Sequence, residues 1–109
     1  MARSVFISQP MRGLSKSTIE KRRSRAVECL EERGFFVINR RYRPIGDVGE
    51  PNQPLFCLGD SLQKMARADA VYLLSGWEMA RGCRVEALAA KEYGLKLYFE
   101  DKVDPEFVK

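Results

Sequence analysis

The stretch GWEMARGCRVE, residues 76–86, gathers one tryptophan, two arginines, two glutamates, two glycines and a cysteine. Glu86 stands four residues after Gly82, one helical turn on. On a helix its side chain tilts back toward the N-terminal end. The helix dipole favours a carboxylate there, which predicts an anionic nucleophile rather than a proton donor. A surface glutamate complementing the dipole is the plainer alternative, and the apolar neighbours Val85 and Ala89 argue against it. Glu78 suits a proton donor or a hydroxyl-binding group. Arg81 and Arg84 suit a phosphate or surface carboxylates. Trp77, the single tryptophan, either stacks on a flat heterocycle or caps the edge of the core. Cys83 near a helix N-terminus is a candidate thiolate. With no histidine in the chain to act as its base, a small packed residue is the better reading.

A second stretch, SQPMRGLS at 8–15, sets Arg12 beside Gly13. A guanidinium with nearby backbone N–H groups suits a phosphate, although an exposed turn reads equally well from the dipeptide alone. The absence of histidine excludes a Ser-His-Asp triad, a Cys-His pair and most zinc sites. Chemistry must then rest on carboxylates, Cys, Lys, Tyr or backbone groups, with no metal and no cofactor expected. Cys29, Cys57 and Cys83 lack CxxC spacing, which argues against a disulfide framework and fits a reducing compartment.

The net charge is +4, with much of the basicity in KRRSR (21–25) and RRYR (40–43). A solvated helix face and a loop explain these runs. A nucleic-acid footprint ranks last because no recognition motif accompanies it. Attraction of a small phosphorylated ligand lies between the two. No apolar run is long enough to span a bilayer, and MARSVFIS lacks the apolar core of a signal peptide. A soluble, cytoplasmic protein is expected.

These groups must be positioned by elements. With 109 residues, 45% of them hydrophobic, the chain fits one domain spanning 1–109. SVFIS (4–8) reads as a strand that stops at Pro10. Ser17 with Glu20 forms a capping-box signature, and Ile19, Ala26, Val27 and Leu30 recur at helical spacing until Gly34. FFVIN (35–39) is a second strand. Residues 40–54 carry three prolines and two glycines and read as a loop. Leu55, Leu58, Leu62, Met65 and Ala66 predict a helix over 55–67. DAVYLLS (69–75) is a buried strand. A third helix is expected over 82–93 with Val85, Leu88 and Ala89 inward. LKLYFE (95–100) is a fourth strand, and the polar tail DKVDPEFVK packs loosely.

Alternating strands and helices predict a flavodoxin-like three-layer α/β/α fold around a parallel sheet of four strands, five at most, in the order 2-1-3-4. Ligands bind such sheets at the switch point between strands 1 and 3. Both unusual stretches leave the carboxyl ends of those strands, so they are expected to face each other across one crevice.

The segments VFISQPMRGLS, SLQKMARADAVYLLSGWEMARGCRVE and AAKEYGLKLYFE together resemble the small DUF4406 proteins of the nucleoside 2-deoxyribosyltransferase-like superfamily. SQPMRG is also similar to the phosphate-binding first loop of deoxynucleoside 5′-monophosphate N-glycosidases. The resemblance implies cleavage or transfer at the N-glycosidic bond of a nucleoside or its 5′-monophosphate, with Glu86 attacking the anomeric carbon to form a covalent sugar ester. It implies a substrate held by Phe6, Ser8, Gln9, Pro10, Met11, Arg12, Gly13, Ser61, Gly76, Trp77, Arg81, Gly82 and Arg84. In that picture Arg12 with Arg81 or Arg84 takes phosphate, and Trp77 or Phe6 meets the base. It implies a homodimer or larger homo-oligomer with shared sites. Two positions depart from the transferases. Ala80 and Ser61 stand where those enzymes place aspartates, so Glu78 and Asp60 are the candidate substitutes. A non-catalytic nucleotide-binding module on the same scaffold is the alternative.

Overall fold

The computed structural model describes residues 3–102. Strand β1 (Ser4–Ser8) is followed by α1 (Lys16–Glu32), β2 (Phe36–Val37), α2 (Gln53–Met65), β3 (Ala70–Leu73), a 3-10 turn (Trp77–Met79), α3 (Arg81–Glu92) and β4 (Lys96–Phe99). The four strands form one parallel sheet in the order β2-β1-β3-β4. The α/β class, the strand order and the flavodoxin-like winding are those expected. No helix among the described residues is long and apolar enough to cross a membrane. The tail beyond residue 102 lies outside the described residues.

Strand alternation sorts the core into two halves. Val5, Ile7, Ala70, Tyr72 and Leu74 face Ala26, Val27 and Leu30 of α1. Phe6, Val71 and Leu73 face Met65 of α2 and Cys83, Ala87 and Ala90 of α3. Side chains on a strand point to opposite faces in turn, so one register fixes both layers. This alternation also carries Ser8, two residues beyond Phe6, to the α3 side, while Gln9 turns toward α1.

Several boundaries and faces differ from expectation. The cap of α1 is Ser15, whose Oγ accepts from Thr18 N at 3.1 Å, and not Ser17. Ser15 begins the helix earlier because its hydroxyl satisfies an orphan N–H of the first turn. Strand β2 is shorter than 35–39. Ile38 N still donates to Val5 O, but Asn39 replaces the ladder with its side chain: Oδ1 accepts from Ile7 N and Nδ2 donates to Ile7 O, both at 2.8 Å. Helix α2 begins at Gln53, capped by Asn52, and Leu55 is exposed. In α3 the inward residues are Cys83, Glu86, Ala87 and Ala90, while Val85 and Leu88 are exposed. The helix is rotated so that a carboxylate, not the apolar Val85, points at the sheet.

Candidate functional site

Glu86 is buried beneath the carboxyl end of β1. Ser8 Oγ, itself buried, donates to its Oε1 at 2.6 Å, a charge-assisted length. Burial pushes the Glu86 carboxyl above its ordinary value, against hydrogen bonding from Ser8 and Ser61 and the positive charge of Arg23. The expectation that the helix dipole holds it readily ionised is therefore corrected. Glu86 lies in the second turn of α3, where the dipole has faded, and desolvation dominates.

Arg23 is the decisive neighbour that composition hides. It is only 5% exposed, its Nε donates to Gln9 Oε1 at 2.9 Å, and its Nη1 donates to Asn39 O at 3.1 Å. Gln9 Nε2 in turn donates to Ile19 O at 2.9 Å. Burial lowers the pKa of Arg23 and Glu86 opposes that shift. A guanidinium stays charged in any protein environment. The expected solvated face at KRRSR is thus corrected at Arg23: Ile19, Arg23, Ala26, Val27 and Leu30 form one buried stripe. Its period was readable in the sequence, and a basic residue in that stripe was the available signal.

A cavity of about 730 Å³ opens over Glu86. Phe6, Gln9, Met11, Asp60, Ser61 and Glu86, all singled out from sequence, line it together. Ile7, Arg23, Ile38, Asn39, the loop Arg40–Ile45, Cys57 and Lys64 complete the wall. The loop over 40–45, expected to be irregular and basic at 40–43, supplies six of the lining residues. Asp60 is held by Lys64 at 2.8 Å. Ser61 is one of the groups acting on Glu86.

The other candidates lie outside this wall. Arg12 and Gly13 sit in an exposed turn closed by Leu14 N donating to Met11 O at 3.1 Å. Arg81 and Gly82 are exposed at the start of α3. Glu78 is exposed on the 3-10 turn, and its backbone carbonyl accepts from Arg84 Nη1 at 2.9 Å. Trp77 packs on Phe99 with ring centroids 5.6 Å apart and caps the α2–α3 half of the core, the second of its two expected roles. Cys83 is packed in that same half, and burial pushes its thiol up to about 11, away from the thiolate form.

The two loops do meet. Gly76 has φ +89°, and a Cβ built there would lie 3.7 Å from Pro10 Cγ. The positive φ, not crowding, makes glycine the fitting residue. Gly76→Ala is expected to lower stability by about 1 kcal/mol. Urea unfolding would check this, and an unchanged midpoint would contradict it.

A family model described as a domain of unknown function, DUF4406, matches residues 3–99. The chain belongs to the DUF4406 family. No curated protein matches it, and no solved structure does. In this DUF4406 chain the matched span includes both loops and every residue of the cavity wall.

Proposed function

We propose that the protein cleaves the N-glycosidic bond of a nucleoside or nucleoside 5′-monophosphate, as a member of the nucleoside 2-deoxyribosyltransferase-like superfamily. The observation that carries this reading is the buried Glu86 carboxyl, held by Ser8 and balanced by Arg23, at the wall of a cavity that also offers Phe6, Met11 and Tyr42. Glu86 Oε attacks C1′ as the C1′–N bond breaks, and the bond pair leaves with the base, which takes up a proton. Water then hydrolyses the sugar ester and restores the carboxylate. Such double displacement uses two carboxyls. Asp60 is the other carboxyl of the wall and the candidate donor, once freed from Lys64. The aromatic and apolar side chains suit a flat base.

In the same reading the protein is a cytoplasmic homo-oligomer. Leu55 and Phe56 of α2 and Val85 and Leu88 of α3 are exposed apolar groups that suit a second copy. A second reading, a nucleotide-binding module without catalysis, is favoured by Ala80 and by the ion pair that ties Asp60 to Lys64. One panel separates the two. The protein is incubated with nucleosides, ribo- and deoxynucleoside monophosphates and NAD, and free base is sought by chromatography. Base release is the expected result and identifies the substrate class. Thermal stabilisation by nucleotides with no base released would select the binding module.

A further inference from the structure

We propose that Arg41 and Arg43 form an anion-binding rim on the cavity and take the phosphate monoester of a nucleotide, in place of Arg12, Arg81 and Arg84. Five cationic side chains line the cavity, Arg23, Arg40, Arg41, Arg43 and Lys64, against two acidic ones, Asp60 and Glu86. Three of the five are engaged. Arg23 sits in its buried network facing Glu86. Arg40 forks onto Glu31 of α1 with contacts of 2.8 and 3.1 Å. Lys64 pairs with Asp60. Arg41 and Arg43 make no ion pair among the described residues, and both are exposed. The excess positive charge of the wall therefore resides on these two guanidiniums.

The chain that carries them is tied down at both ends. Arg40 fixes its start to α1, and the Asn39 side chain fixes the preceding residue to β1. At the far end Gln53 Nε2 donates to Gly46 O at 3.0 Å, and Val48 N donates to Gln53 Oε1 at 3.2 Å. A segment anchored on two helices presents its cations at reduced entropic cost to a ligand. Two planar guanidiniums match the oxygens of a doubly charged phosphate monoester, with bidentate geometry that a lysine would not supply. Tyr42 lies between them in sequence and also lines the cavity. A phosphate at this rim leaves the rest of the nucleotide to extend across the cavity wall toward Glu86.

The anion site does not depend on base release, although its place in a reaction rests on the proposed glycosidase reading. Binding is therefore measured by calorimetry at low salt. The probes are a nucleoside 5′-monophosphate panel, the matching nucleosides and inorganic phosphate. The proteins are the parent, R41Q/R43Q, R12Q and E86Q. The parent, R12Q and E86Q are expected to prefer at least one monophosphate over its nucleoside by about tenfold or more. In R41Q/R43Q that preference falls to within about twofold, with nucleoside affinity and far-ultraviolet dichroism unchanged. Preference retained in R41Q/R43Q, or lost in R12Q instead, overturns the proposal, as does the absence of any preference in the parent. Base release by E86Q would refute the nucleophile while leaving the anion site standing.

Discussion

Glu86→Gln abolishes base release, with a loss of about 10³-fold or more, and at the same time raises the melting temperature at neutral pH. Both effects follow from one environment. The carboxyl is buried, its Oε1 accepts from Ser8 at 2.6 Å, and burial outweighs the groups that favour its charge. Ionising it costs folding stability, as strained or desolvated active-site groups commonly do. A glutamine keeps the shape and still accepts from Ser8, but carries no charge and cannot form the ester. A gain of ~1 kcal/mol is expected, roughly 4–8 °C for a domain of this size.

The pH dependence has a definite sign. The folded-state pKa of Glu86 is raised above its ordinary 4.5. Its stabilising contribution is therefore fully present below about that value and is lost as pH rises through the folded pKa. The parent should lose stability over that interval relative to Glu86→Gln, and base release by the parent should rise over the same interval as the nucleophile ionises. Calorimetric scans from acid to neutral pH measure the first trend, and initial rates measure the second. A variant that melts lower than the parent at pH 7 would mean that Arg23 and Ser8 stabilise the charge more than burial opposes it.

The fold was legible because each strand is short and bounded on one side by a nearby proline or glycine, and because βα alternation admits few topologies. The faces of α2 and α3 were less legible. Apolar residues at helical spacing mark an amphipathic stripe, but exposed Val85 and Leu88 compete with the true one through Cys83, Ala87 and Ala90. A buried carboxylate in that stripe masks it. Glu86 is nevertheless legible as a candidate, because its place one turn after Gly82 and the family resemblance both point to it. Of the other candidates, Gln9, Met11 and Ser61 share its cavity wall and Ser8 bonds to it. Arg12, in an exposed turn, and Arg81 and Arg84, at the start of α3, lie outside the cavity wall, since residue type carries no direction for a side chain. Three of the five cations that line the wall sit in RRYR, where sequence alone cannot separate a rim from a solvated loop.

Arg23→Met is expected to destabilise the protein by about 3–5 kcal/mol at neutral pH, a large part of what holds a small domain together. Methionine fills much of the space but supplies no donor. Gln9 Oε1 and Asn39 O each lose a charged hydrogen bond, and Glu86 loses the cation that opposes its desolvation. Removing the cation alone leaves the Glu86 charge buried with less compensation, which is costlier than removing both charges. The loss should therefore shrink in acid, where Glu86 is protonated in both proteins, and should shrink again when Glu86→Gln is added. Urea unfolding of the four proteins of this cycle gives the coupling directly. Additive effects would show that Arg23 stabilises α1 and the Asn39 corner alone. A coupling above about 1 kcal/mol would show that Arg23 and Glu86 act as a pair across the sheet edge. Arg23→Lys distinguishes charge from shape: it restores a cation near Glu86 but cannot fork to Gln9 and Asn39 together. It should recover the pH response of the parent and only part of its stability.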